Sequence, residues 1–305
     1  MTTVVEVRDL RMRYGDTDVL TGVDFHVEAG EVVCLLGPNG AGKTTTIEIL
    51  EGFRIRSAGE VGVLGHDPAT APEDWRARTG VVLQSWRDHP RWTPRRLLDH
   101  LGRFFEPYSE PGRPRPHDTA LLLETVGLTE HADRKLVTLS GGQRRRLDVA
   151  AAIVGRPELL FLDEPTTGFD PQARREFHDL IQRLAAAEGT TILLTTHDLA
   201  EAEKLATRVL VLAGGQIAAD DTVDGLARRV EGEATVRWRV GAERRTAAVT
   251  DATAFVRDLL DTHGDALADL EVRRASLEEA YLSLVRRHES GQQDAAARLF
   301  TEVAR

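Results

Sequence analysis

Residues 31–45 read EVVCLLGPNGAGKTT, and their parsing decides the fold. EVVCLL at 31–36 is a near-continuous apolar run, as expected of a strand buried on both faces. GPNGAGKTT at 37–45 satisfies G-x-x-x-x-G-K-[ST] through Gly37, Gly42, Lys43 and Thr44. From Lys43 onward, KTTTIEILEGF spaces its apolar residues helically. A strand, a glycine-rich loop and a helix, in that order, are what a phosphate site requires. Glycines let the backbone wind around a pyrophosphate so that several N–H groups converge on it. The helix behind the loop adds its positive N-terminal end. Lys43 is then placed to meet the outer phosphates as a point charge, and the Thr44 hydroxyl to meet Mg²⁺. Asn39, Gly40, Ala41 and Thr45 fill the remaining positions of the expected nucleotide cradle.

Further along, LLFLDEP at 159–165 sets two acids where another buried strand ends. Parallel sheets open their ligand crevice at the carboxyl ends of strands. Asp163 is therefore expected to hold Mg²⁺ through water, and Glu164 to orient or deprotonate an attacking water. TTILLTT at 190–196 reads as a further buried strand, separated from the first by helical text from Pro171 to Ala187. Shorter strands are expected at 60–64 and 80–84, and alternating ones at 3–8 and 23–28 with a turn around Tyr14-Gly15-Asp16. Between Pro90 and Glu130 the text becomes helical, RRLLDHLGRFF then TALLLETVGL, split by a proline-rich loop. Thr93-Pro94 fits a cap followed by proline at the first helical position. This alternation predicts an α/β fold with a largely parallel sheet. A boundary near 228–233 then divides 1–228 from a small α+β appendage at 229–305. Within the appendage, TVRWRV, a helix at 252–263, a strand at 268–273 and a helix at 276–288 are expected, with an amphipathic helix over 291–305.

The 305 residues are 41% hydrophobic and 29% charged, with a formal net charge of −10. That length suits one large domain plus a small one, and the composition excludes general disorder. No apolar run approaches the ~20 residues of a spanning helix. The opening MTTVVEVRDL alternates like a strand, unlike a secretory leader, so a cytoplasmic location is expected. The acidic surplus argues against a general nucleic-acid binder, and no nucleic-acid partner is expected. Cys34 is the only cysteine, which excludes a disulfide framework or a thiolate metal cluster.

LSGGQ at 139–143 stands ahead of the strand bearing Asp163. With the two motifs above, it makes residues 3–225 resemble the ATP-binding cassette family, the nucleotide-binding subunits of ABC transporters. Gln84, ending VVLQ, resembles the family's Q-loop glutamine, and His197, after ILLTT, its switch histidine. TTGFD at 166–170 resembles the D-loop, and Tyr14 the aromatic that stacks on adenine. The resemblance implies a phosphate-loop NTPase cassette with an antiparallel β subdomain, a mostly parallel α/β core and a helical subdomain at about 85–135. It implies ATP and Mg²⁺ as cofactors. Lys43, Gln84, Glu164 and His197 would be catalytic, with Thr44, Gln84 and Asp163 around the metal. Two cassettes, identical or paired, would close head to tail. Ser140, Gly141, Gly142 and Gln143 of one would then reach the γ-phosphate held by the other.

VRRASLEEAYLSLV at 272–285 resembles the ending of exporter ATPases of the daunorubicin-resistance type. That implies export through a separate integral-membrane permease, with this chain peripheral on the cytoplasmic face of the membrane. Two positions depart from the family pattern: Phe169 replaces the more usual leucine, and Arg96 stands where a capping-box Glu is common. A soluble ATPase acting on ribosomes or DNA fits less well. The chain has one phosphate loop and one LSGGQ, and no heptads or cysteine pairs separate Gln84 from Leu139. A nucleotide-binding module without hydrolysis is disfavoured by the presence of both Glu164 and His197.

Overall fold

Three short apolar segments form the centre of a six-stranded sheet, because each is long enough for one strand and has no polar face to show to water. The computed structural model describes residues 2–82, 90–230, 234–241, 243–249, 251–273 and positions 278, 281 and 285. The chain begins with a hairpin of β1 (Thr3–Tyr14) and β2 (Thr17–Glu28), turning at Gly15-Asp16. β3 (Val32–Leu36) follows, buried along its whole length, then α1 (Lys43–Leu50) and β4 (Ala58–Val63). β4 returns to β1, giving an antiparallel sheet in the order β2-β1-β4. Both hairpin strands are longer than the segments 3–8 and 23–28 expected from alternation. Register shifts at Val7/Leu10 and Met12/Arg13 break the period of two, and with it the pattern that would have shown the full length.

After α2 (Glu73–Ala77) and β5 (Thr79–Val82), the chain enters a helical segment with α3 (Pro94–Gly102) and α4 (Thr119–Thr125). β5 is described as far as Val82; the expected limit of 84, with Gln84 and Trp86, lies outside the described residues. Thr93 caps α3 as expected, accepting from the Arg96 N–H, with Pro94 at the first turn. Then come α5 (Gly141–Ile153), β6 (Leu159–Asp163), α6 (Pro171–Glu188), β7 (Thr191–Thr196), α7 (Leu199–Leu205), β8 (Arg208–Ala213) and β9 (Gln216–Asp221). The main sheet runs β5-β6-β7-β3-β8-β9. Its pairs β5·β6, β6·β7, β7·β3 and β3·β8 are all parallel.

One apolar core joins the two sheets, with Val5, Leu10 and Val23 from the antiparallel layer meeting Ile47, Phe161 and Leu193. Each such side chain contributes roughly 1.5–3 kcal/mol when fully buried. The register decides where the chemistry falls. Leu36 pairs with Thr196, and Asp163 with Thr195, so β3, β6 and β7 all end at one edge. The glycine loop, the acid pair and His197 leave the sheet together.

The chain divides into compact units at Ile217/Ala218, earlier than the 228/229 boundary read from the sequence, and the division falls within β9. The second unit contains α8 (Val223–Val230), β10 (Ala234–Val240), β11 (Glu243–Val249), α9 (Ala252–His263) and β12 (Leu267–Arg273). Its strands form an antiparallel sheet in the order β11-β10-β12, with Leu259 of α9 packed against Val236 and Trp238. The helix at 252–263 is as expected. Most of 276–288 and all of 291–305 lie outside the described residues.

Candidate active site

Two glycines of the loop after β3 are required by space. A Cβ on Gly37 would lie 2.5 Å from the Leu212 carbonyl oxygen, and one on Gly42 2.6 Å from Leu20 Cδ2. Gly42 also has φ +104 at the N-cap of α1, where its conformation lets the loop turn into the helix. Asn39, Gly40, Gly42, Lys43, Thr44 and Thr45 line a cavity of about 370 Å³ together with Val19 and Glu164. Gly37 and Ala41 are buried and are not among its lining residues. The Lys43 side chain is only 5% exposed, and its Nζ donates to the carbonyls of Gly37 at 2.9 Å and Pro38 at 3.3 Å. Thr44, by contrast, is exposed at the first turn of α1.

Glu164 joins that cavity to the acid strand. Its Oε1 lies 3.4 Å from Lys43 Nζ and 3.2 Å from His197 Nδ1, and its Oε2 accepts from Thr167 Oγ1. Burial pushes the Glu164 carboxyl up, but the His197 hydrogen bond and the Lys43 charge outweigh it, leaving the group below the usual carboxylate range. Its backbone has φ +42, a left-handed conformation that costs a non-glycine residue on the order of 1–2 kcal/mol. Asp163, the last residue of β6, is buried and accepts a short hydrogen bond from Thr195 Oγ1. Thr195 therefore belongs to the site although no sequence motif marks it. Its signal is the pairing of β6 with β7, which a linear reading does not contain.

The LSGGQ segment starts α5. Ser140 is the N-cap and forms a capping box with Gln143: the Ser140 Oγ accepts from the Gln143 N–H, and Gln143 Oε1 from the Ser140 N–H. Ser140 and Gly141 are exposed. A cavity of about 790 Å³ separates this helix start from the loop after Glu164, with Ser140, Gly142, Thr167 and Phe169 among its walls. Phe169, the substitution in the D-loop, packs edge-on against Phe177 with centroids 5.8 Å apart. Arg145, buried on α5, ties the two segments by donating from Nε to the Pro165 carbonyl at 3.0 Å; no motif in the sequence singles it out.

The structure thus brings Lys43, Glu164 and His197 into contact, and sets Asp163 beside Glu164. It does not bring Tyr14 to the cavity wall. Tyr14 is 39% exposed, with the Arg54 guanidinium 5.1 Å from its ring centroid. Gln84 lies outside the described residues.

A phosphate cradle, a lysine and an acid pair at the carboxyl edge of a parallel sheet define a phosphate-loop nucleotide hydrolase. Residues 20–167 match the ABC transporter family. Over 92% of its length the chain is 39% identical to a daunorubicin resistance ATP-binding protein of Streptomyces coeruleorubidus, spanning 94% of that relative. It is 42% identical over 70% of its length to the Nod factor export ATP-binding protein I of Burkholderia orbicola, covering 68% of it. A solved structure of the ATP-binding subunit of an ABC transporter superposes with a TM-score of 0.65 at 25% identity, over 92% of this chain and 99% of that one. The chain belongs to the ABC transporter family as one of its ATP-binding, ATP-hydrolysing cassettes. Among the described residues no helix is long and apolar enough to cross a membrane.

Proposed function

We propose that this chain powers the export of a drug-like or antibiotic molecule, working at the cytoplasmic face of the membrane beneath a separate integral-membrane permease. The relatives named for daunorubicin resistance and Nod factor export support the direction of transport. The observation that carries the catalytic reading is the placement of the Glu164 carboxylate between Lys43 Nζ and His197 Nδ1 at the cavity wall. ATP enters with its phosphates against the loop at 37–45. Lys43, already held among carbonyls, exchanges these contacts for the outer phosphates. Glu164, its carboxyl held down by the His197 hydrogen bond and the Lys43 charge, accepts a proton from water at neutral pH. His197 holds that carboxylate in place. Tyr14 exchanges its contact with Arg54 for the adenine ring.

The residues also fit Mg²⁺. A buried carboxylate, Asp163, ends β6, and an exposed hydroxyl, Thr44, begins α1. Among the described residues no group of three or more His, Cys, Asp or Glu could hold a metal alone. Such a sparse protein set suits Mg²⁺, which usually keeps waters and phosphate oxygens as most of its ligands. Gln84 would join Thr44 and Asp163 there. When bound, the ion neutralises charge developing on the phosphoryl oxygens.

Two cassettes, identical or paired, close on ATP so that Ser140, Gly141, Gly142 and Gln143 of one complete the site of the other. Glu164→Gln tests this chemistry: ATP binding should persist, hydrolysis should fall by roughly 10²-fold or more, and an ATP-bound dimer should accumulate on size exclusion. Wild-type turnover in that variant would remove Glu164 from the reaction. Transport is tested in inside-out vesicles holding the chain and its candidate permease, where ATP should drive daunorubicin accumulation that Glu164→Gln abolishes.

A further inference from the structure

We infer that Thr195 is a positioning residue for ATP hydrolysis, whose single hydroxyl sets both Asp163 and Glu164. The inference rests on the reading in which Asp163 serves the metal and Glu164 the attacking water. Thr195 lies on β7 in register with Asp163 on its parallel neighbour β6, and it is fully buried. Its Oγ1–H donates to Asp163 Oδ1, and the same oxygen accepts the Glu164 N–H at 3.0 Å. A hydroxyl has one proton to give, an ionised carboxylate only accepts and a backbone N–H only donates. Both roles of the Thr195 oxygen are therefore fixed, and it cannot rotate away from either neighbour without losing a bond.

Each bond has its own consequence. The first holds the Asp163 carboxylate in one orientation at the strand end, the part that outer partners of metal ligands play. The second bears on the left-handed backbone of Glu164. With the Thr195 carbonyl, which also lies 3.2 Å from the Glu164 nitrogen, it pins the amide that the φ of +42 would otherwise release. That backbone turn is what directs Glu164 Oε1 to Lys43 and His197. The metal-side acid and the water-side acid are thereby set by one atom of the next strand.

Valine matches threonine in shape without the hydroxyl, and serine keeps the hydroxyl without the methyl. ATP binding to the full chain is measured by calorimetry in EDTA and across a Mg²⁺ titration, with turnover alongside. Thr195→Val should bind ATP in EDTA as the parent does. It should need roughly 10- to 100-fold more Mg²⁺ for the metal-dependent gain in affinity, with a fall in kcat; Thr195→Ser should restore both. Parental Mg²⁺ dependence and kcat in Thr195→Val would overturn the inference, as would a serine variant as impaired as the valine one. If the valine variant does not fold, Thr195→Ala against Thr195→Ser makes the same comparison, and the same results support or overturn the inference. Glu164→Gln run in parallel separates the failures. If Glu164→Gln is inactive and Thr195→Val is unaffected, only the role of Thr195 falls; a fully active Glu164→Gln removes the catalytic reading and this inference together.

Discussion

Lys43 is the most constrained charge in the site: nearly buried, it donates to two carbonyls of its own loop and faces Glu164 at 3.4 Å. Its removal would take the Nζ donor from the Gly37 and Pro38 carbonyls, leaving Pro38 its Ala41 N–H, and, on the proposed reading, would leave the outer phosphates without that cation. Lys43→Ala should therefore lower ATP hydrolysis by at least about 10²-fold, the scale for deleting one preorganised electrostatic contact, as measured by phosphate release. The same variant should let the Glu164 carboxyl rise, since the Lys43 charge that helps hold it down is gone. Lys43, Asp163, Glu164 and His197 are legible in the sequence because each follows an apolar strand within a short motif. Thr195 and Arg145 are not. Their partners, Asp163 and Pro165, are remote in sequence and meet them only through strand register and helix packing.

At the scale of elements, side-chain caps explain most boundaries. Thr93, Asp118, Ser140, Asp170, Asp198 and Asp251 each accept from the first turn of the helix that follows. Helix starts are accordingly easier to read than strand ends, where bulges and exposed charges in β1 and β2 hide the alternation. One ion pair clamps two neighbouring strands where they begin. Arg78, before β5, donates from Nε and Nη2 to the two oxygens of Glu158, before β6, at 2.8 and 2.9 Å. The Arg78 hydrogen bonds hold the Glu158 carboxyl below its ordinary 4.5, against the opposing effect of burial. A carboxyl depressed by folding stabilises fully above its unfolded value and loses that contribution as pH falls through the lower folded one. Glu158→Gln should thus cost about 1 kcal/mol at pH 7, the modest end for a charged hydrogen bond because both side chains are about one-third exposed. The gap between parent and variant in urea midpoint should close well below pH 4.5; a gap that persists there would show that packing, not charge, is responsible.

Across the whole molecule, the parallel sheet gathers the glycine loop, the acid pair and His197 at one edge, and the order of motifs in the sequence is enough to foresee that. The internal division is less legible: the compact units part within β9, where composition changes little, and not at the charged stretch near 228–233. If each site needs the LSGGQ segment of a second cassette, turnover per chain should rise with protein concentration and saturate once dimers dominate. A constant turnover from a chain that stays monomeric on light scattering with ATP would contradict this.

The capping box at Ser140 also settles how much of the α5 end is left to a visitor. An uncapped helix begins with several amide hydrogens that lack partners. Here the box consumes those of Ser140 and Gln143, which leaves over the amides of two adjacent residues, Gly141 and Gly142, neither with a Cβ to keep a bulky anion at arm's length. The motif is thus a socket with a counted number of prongs, and in the proposed closed pair an arriving phosphoryl oxygen would meet two of them without having to unmake the cap.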